Sequence, residues 1–183
     1  MKNYTAFLTM TILCLIFLTS ADKAFAAPPN DNFAGAMPLV LQNSTVGVTT
    51  NNSGATKQAG EPNHAENVGG KSVWFSFTPT TTKLIRINTV DTNFDTLLAV
   101  YTGSAVNNLT LVGYNDDCNT VCGQASTVDL MMSAGTTYYI AVDGLNDGGN
   151  IGEGNFKIVL LEFDAPAQDN LNSAYALGFS FRG

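Results

Sequence analysis

Short runs of alternating hydrophobic and polar residues fill the chain from about residue 45 to residue 161. Clusters of Gly, Asn, Asp and Thr separate these runs, and the 3.6-residue period of an amphipathic helix is almost absent. In the run at 72–78, Val73, Phe75 and Phe77 fall on one face of an extended chain, whereas Trp74 falls on the other. The pattern is therefore that of strands and turns.

The alternation predicts strands at residues 45–50, 72–78, 84–89, 96–101, 109–114, 126–132, 137–142 and 155–161. The only helical candidate, residues 32–37, is a single turn. Short strands with turn signals between them are typical of sandwiches and barrels. The predicted fold class is all-β, a jelly-roll-like antiparallel β-sandwich of about eight strands.

The N-terminal residues have the pattern of a signal peptide. Lys2 precedes an apolar stretch at 5–19, and Ala24-Phe25-Ala26 forms a small-x-small site that predicts cleavage between Ala26 and Ala27. A membrane anchor is the rival interpretation, but threonines and a serine interrupt the apolar stretch, which is shorter than the ~20 residues of a spanning helix. The sequence therefore predicts a secreted protein (extracellular, on the cell surface or periplasmic) without a membrane span after cleavage.

The exported chain is acidic. The full sequence has a net charge of −7, and removal of Lys2, Lys23 and Asp22 leaves six basic and fourteen acidic residues, a net charge of −8. Nucleic acids and anionic membranes need Lys and Arg to neutralise their phosphates, so this charge argues against them, and no nucleic-acid partner is expected. It is compatible with cation binding, and an extracellular protein or glycan is the expected partner.

Two cysteines remain after cleavage, Cys118 and Cys122. In an oxidising compartment the favoured interpretation is a disulfide that closes a small loop. Half of a metal site and a redox pair are the alternatives. A zinc site needs further ligands from a chain with one histidine, and redox pairs usually have two intervening residues rather than three.

A nine-residue segment recurs in the chain. Asp, Asn, Ala and Leu of residues 31–39 match those of residues 169–177 at identical spacing, and each copy follows an Ala/Pro segment. The large offset is a domain length, which predicts a tandem array, although four positions can also match by chance. The predicted organisation is a signal peptide at 1–26, a β-sandwich domain at 27–163, a linker at 164–167 and the truncated start of a second repeat at 168–183, with neighbouring domains in a longer polypeptide.

Several recognisable motifs follow one another along the chain: NDNF at 30–33, GEPNH at 60–64, GKSVWF at 70–75, NFDTLLAVYTG at 93–103, NDD at 115–117 and AGTTYYIAVDG at 134–144. In this order they resemble the bacterial pre-peptidase C-terminal domain family. The resemblance covers about residues 30 to 162, nearly the whole exported domain. It implies a jelly-roll-like β-sandwich that serves as a non-catalytic accessory module in large secreted bacterial proteins.

Catalytic chemistry has little support in the sequence. His64 is the only histidine, so a Ser-His-Asp or Cys-His arrangement would have to use it, and no Gly-x-Ser-x-Gly elbow is present. Its setting in a Glu-Pro-Asn-His turn favours a hydrogen-bonded loop histidine. The sequence therefore predicts no catalytic residues.

Calcium is the candidate cofactor, because carboxylates at strand ends supply the oxygen ligands that this cation prefers. The candidate ligands are Glu61, Asp95, Asp116, Asp117 and Asp143. Alternatively, these acids cap turns and keep the domain soluble.

Aromatic side chains offer a second candidate site. Trp74, with tyrosines of neighbouring strands, is a candidate platform for stacking against a sugar or a peptide, and the alternative is that it belongs to the core.

The sequence thus predicts a non-catalytic accessory, adhesion or binding module of a secreted bacterial protein. Two alternatives remain open: the N-terminal fragment of a secreted hydrolase, a protease, whose catalytic domain lies outside this chain, and an independent carbohydrate-binding domain.

Overall fold

The computed structural model describes residues 25–118 and 123–164. A short 3-10 helix at Phe33–Gly35 takes the place of the predicted helical turn, and the rest of the regular structure is β. The strands are β1 (Met37–Pro38), β2 (Thr45–Asn51), β3 (Val73–Phe77), β4 (Lys83–Val90), β5 (Thr96–Thr102), β6 (Thr110–Asn115), β7 (Thr127–Met132), β8 (Tyr138–Gly144), β9 (Asn146–Asp147), β10 (Asn150–Ile151) and β11 (Asn155–Phe163). Each of the eight predicted strands overlaps one of the longer strands.

The longer strands form two sheets. One sheet has the order β1-β3-β8-β5-β6 and the other β2-β11-β4-β7, and β9 and β10 form a separate small hairpin. The eight longer strands can be numbered 1 to 8 in chain order. The first sheet then has the order 2-7-4-5, and the other has the order 1-8-3-6. Two interlocked Greek keys give this order, so the predicted jelly-roll sandwich is confirmed.

The main core lies between the sheets. Val73, Phe75 and Phe77 of β3 pack there against Ile158 and Leu160 of β11. Alternation with period two explains this placement, because every second side chain of each strand points to the facing sheet. The face predicted for Val73, Phe75 and Phe77 is therefore confirmed.

The outer face of the five-stranded sheet is also covered, by the segment that precedes β1. Asn30 accepts a hydrogen bond from the Trp74 amide at 2.8 Å and returns one from its side chain to the Trp74 carbonyl at 2.9 Å. Asp31 accepts hydrogen bonds from the amide and hydroxyl of Thr56, at 2.6 and 3.0 Å, and Phe33 packs on Trp74. This cover creates a second small core, which contains the candidate site described below.

Several predictions lie outside the described residues. They concern the signal segment up to residue 24, Cys122 of the predicted disulfide, and the linker and second repeat beyond Asp164. Ala26 and Ala27 of the predicted cleavage site are described, and both are exposed. Within the described ranges, no helix has the length and apolar character needed to cross a membrane.

Candidate functional site

The chain's single histidine lies at the centre of a buried polar network. Nδ1 of His64 lies 2.9 Å from the Tyr101 hydroxyl, and Nε2 lies 2.7 Å from Oε1 of Glu61. His64 itself is fully buried; it lies in the connection between β2 and β3 and packs against Trp74 and Tyr101 on the outer face of the five-stranded sheet. Trp74 closes one side of the imidazole, with ring centroids 5.5 Å apart. The predicted hydrogen-bonded loop histidine is therefore present, and it is inaccessible to solvent.

Glu61 is held in place by several donors. Its Oε2 accepts a hydrogen bond from the Gln58 amide at 2.8 Å, while Oε1 contacts His64. Burial works to raise the pKa of Glu61, but hydrogen bonds from His64, Ser72 and Gln58 outweigh it and lower that pKa. Burial also raises the pKa of Tyr101, with added repulsion from Glu61 and Asp143. Glu61 is thus an ionised acceptor that fixes the imidazole.

Asp143, at the end of β8, is a second buried carboxylate. Oδ1 accepts hydrogen bonds from the amides of Lys71 at 2.7 Å and Gly144 at 2.8 Å, and Gly70 donates to the same carboxylate at 3.0 Å. Burial raises the pKa of Asp143, although His64 and these amides act in the opposite direction. A side chain at Gly69 would overlap this carboxylate, so the turn wraps it closely. Asp143 therefore organises the 69–71 turn.

The remaining calcium candidates lie elsewhere. The pKa of Asp95 is raised by burial and by the negative charges of Asp117 and Asp116, so these three carboxylates are neighbours. Among the described residues, no group of three or more His, Cys, Asp or Glu side chains is positioned to hold a metal ion. The five candidates therefore do not form one common site there, and calcium binding stays a prediction.

The stacking platform predicted around Trp74 is not formed. Trp74 is 0% exposed, and Tyr101 and Tyr138 are buried as well. Alternation correctly placed Trp74 on the face opposite the main core, but the covering segment buries that face too. Phe33 stacks edge-on against the indole, at 5.3 Å between centroids and 83° between planes. Trp74 is therefore a core residue of the second cluster.

Sequence reasoning missed one exposed feature, the outer strand of the five-stranded sheet. Leu111, Val112 and Tyr114 of β6 are all exposed. The Tyr114 hydroxyl donates a hydrogen bond to Oε1 of Glu66 at 2.8 Å. The signal in the sequence was the run Thr-Leu-Val-Gly-Tyr-Asn, which has no charged residue although edge strands usually carry one.

Two solved structures show what this chain is similar to. One is PliG from Aeromonas hydrophila, a periplasmic inhibitor of g-type lysozyme, with 9% identity over 70% of this chain and 96% of that chain and a TM-score of 0.47. The other is the pre-peptidase C-terminal domain of collagenase from Bacillus anthracis, with 17% identity over 68% of this chain and 93% of that chain and a TM-score of 0.42. No protein-family model and no curated protein matches the chain. One neighbour is thus a domain of the kind that the sequence motifs resemble, and the strand order by itself establishes the β-sandwich.

Proposed function

We propose that this chain is a non-catalytic binding module of a secreted bacterial protein, which attaches to an extracellular protein or glycan. The state of His64 carries this proposal. It is the chain's only histidine, it is fully buried, and internal partners occupy both ring nitrogens. A general acid or base has to reach the proton that it transfers. Glu61, His64 and Asp143 instead hold in place the turns of the connection between β2 and β3.

The predicted export signal and the acidic charge support the extracellular side of this proposal. A net charge of −8 after cleavage keeps the domain soluble and repels phosphate polymers. The order of motifs that resemble the pre-peptidase C-terminal family agrees with an accessory role. Binding would then depend on exposed strands and loops, since the acid–base groups are internal.

The repeated segment supports a modular chain. In its first copy, Asp31 caps the turn at Thr56, Phe33 packs on Trp74, and Leu39 enters the main core. The second copy, at 169–177, keeps the aspartate and the final leucine and has a leucine where the first has Phe33. Residues with the chemistry to cover another sandwich thus follow the predicted linker at 164–167, so we include a following domain of the same kind in the proposal.

A carbohydrate-binding role receives less support. Stacking on sugar rings needs exposed aromatic faces. Trp74, Tyr101 and Tyr138 are buried, and Tyr114 is the candidate tyrosine with large exposure. A protein partner is therefore favoured over a glycan.

Assays of the exported chain, residues 27–183, test the absence of catalysis. We expect no turnover of peptide, ester or glycoside substrates, either by the wild type or by His64→Gln. Turnover that disappears in a folded His64→Gln variant would overturn the proposal, because the network would then be catalytic.

A second experiment tests binding. The immobilised chain is exposed to the medium and envelope fraction of the source bacterium, and any retained component is identified, purified and bound again. A saturable isotherm with the pure component is expected, and failure to find any saturable partner would contradict the binding role.

A further inference from the structure

We infer that the free edge of β6, with Glu66 of the adjoining turn, binds an extended protein segment that carries Lys or Arg. The inference rests on the proposed binding function and specifies its surface and the chemistry of its partner. We call the surface formed by Leu111, Val112, Tyr114 and Glu66 the β6 edge surface.

The edge of β6 lacks two of the usual protections, charged residues and proline. In the sheet order β6 is hydrogen-bonded to β5 alone among the described strands, so alternate backbone groups of β6 face away from the sheet. Such edges are normally blocked by charged residues or proline. The β6 run has neither, whereas at the opposite edge β1 has only two residues. An extended segment can therefore add to β6 through main-chain hydrogen bonds.

A bulge presents two apolar side chains of β6 together. Tyr114 pairs with Ala99, and Leu111 pairs with Tyr101, because the register shifts at Val100/Tyr101. Cross-strand partners share a face, so Leu111 and Tyr114 both lie on the outer face although they are three residues apart. Leu111 is 48% exposed and Tyr114 is 44% exposed. Leu111 and Tyr114 therefore form an exposed apolar patch beside the free edge, which we call the apolar step.

Negative charge surrounds this step. The Tyr114 hydroxyl donates to Glu66, and the charges of Glu66 and Asp116 both act on the phenol. Among the described residues, neither carboxylate has a Lys, Arg or His within salt-bridge distance. A cation at the Tyr114 ring would meet an aromatic face and the Glu66 carboxylate, and the charge of Asp116 would attract it as well. Charge complementarity thus selects a basic partner.

The backbone that carries each carboxylate is held in position. The Ser126 hydroxyl donates to the Asp116 carbonyl at 3.1 Å, and the Thr127 amide donates to the Asn115 side chain at 2.9 Å. Glu66 lies in a two-residue turn closed by a hydrogen bond of 2.9 Å from the Asn67 amide to the His64 carbonyl. The buried network of His64 therefore supports the turn that presents Glu66.

Other occupants fit less well. A second copy of this chain brings the same excess of acidic residues, and nucleic acids and anionic lipids are repelled by it. Sugars would meet a single large exposed aromatic ring. An extended basic protein segment satisfies the backbone edge, the apolar step and the charge together.

Two fluorescently labelled peptides test the inference, the basic KKTVTVTVKK and its acidic counterpart EETVTVTVEE. Their binding to the exported chain, residues 27–183, is measured by fluorescence anisotropy at low and at high salt. We expect saturable binding of the basic peptide, with affinity at least about tenfold higher than that of the acidic one and reduced by salt. On binding, amide hydrogen exchange should slow in β6. Equal binding of both peptides, or no protection of β6, would overturn the inference.

Matched variants locate the surface. Leu111→Lys places a charge on the edge and should abolish binding of the basic peptide, whereas Met131→Lys on β7, at a side chain with 49% exposure, should not. The double variant Glu66→Gln/Asp116→Asn should weaken binding about fivefold. The control Asp91→Asn/Asp147→Asn removes the same charge from exposed positions elsewhere and should leave it unchanged. Equal effects of the paired variants would contradict the inference.

Failure of this inference is distinguishable from failure of the proposed function. If the partner purified by capture binds Leu111→Lys as tightly as wild type, the β6 edge surface is wrong and the binding function stands. If neither that capture nor the basic peptide gives saturable binding, both are wrong. A third outcome is that the wild type self-associates and that Leu111→Lys abolishes this self-association. A second copy of the chain would then be the occupant, and the choice of a basic partner would be overturned.

Discussion

Replacing Trp74 with alanine tests the second core directly. The indole is fully buried and contacts three rings, with centroids 5.3 Å from Phe33, 5.5 Å from His64 and 6.0 Å from Tyr101. Truncating a buried tryptophan typically costs ~3–5 kcal/mol, from lost transfer free energy and from the cavity left behind. One contribution reduces this cost. Nε1 of Trp74 is a buried donor without a hydrogen-bond partner among the described residues, and the alanine variant removes this unfavourable group. We therefore expect a loss of unfolding free energy near the lower end, about 3 kcal/mol.

The assay is equilibrium urea unfolding of residues 27–183, followed by far-UV circular dichroism so that loss of the only tryptophan does not remove the signal. In a domain of this size, about 3 kcal/mol lowers the Tm by roughly 10 °C. Two variants serve as controls. Trp74→Phe keeps an aromatic ring and removes the unpaired donor, so it should cost less than Trp74→Ala. Tyr114→Ala truncates an exposed ring and should change stability by less than about 0.5 kcal/mol.

A cost below about 1 kcal/mol for Trp74→Ala, or equal costs for Trp74→Ala and Tyr114→Ala, would refute the reasoning. Trp74 would then not be packed beneath the covering segment, and the stacking platform predicted from the sequence would regain support.

Three further predictions concern the polar groups. Tyr101→Phe leaves Nδ1 of the buried His64 without a partner, so urea unfolding should show a loss of ~1–3 kcal/mol; no loss would mean that the hydrogen bond is absent. The lowered pKa of Glu61 means that its ionised form contributes stability above its ordinary value of 4.5, and that this contribution disappears as pH falls through the folded-state value. The stability difference between wild type and Glu61→Gln should therefore be largest near neutral pH and shrink in acid, and a difference that grows in acid would contradict this sign. At constant ionic strength, calcium should raise the Tm of residues 27–183 relative to chelator, because a bound cation would offset the repulsion of Asp95 by Asp117 and Asp116; identical melting curves would reject the calcium prediction.

The sequence by itself determined the strands and the inner face of the sandwich. Each long strand was predictable because alternation of side chains is a local property of an extended chain. The burial of Val73, Phe75 and Phe77 follows from that alternation without knowledge of their partners. The order of strands in each sheet does not, because pairings such as that of β2 with β11 join residues more than a hundred positions apart.

Only the tertiary structure decided what happens on the other face of the five-stranded sheet. Trp74 looked available for stacking because its neighbours on that face are serines, but the segment around Asn30 and Phe33 covers it. A period-two pattern states which side a residue faces and carries no information about what lies on that side. The pairing of His64 with Glu61 could be suggested by their spacing, whereas its contact with Tyr101, 37 residues away, could not. The exposure of β6 is likewise a consequence of its position at the end of the sheet order, because the same apolar run in a central strand would have been buried on both faces.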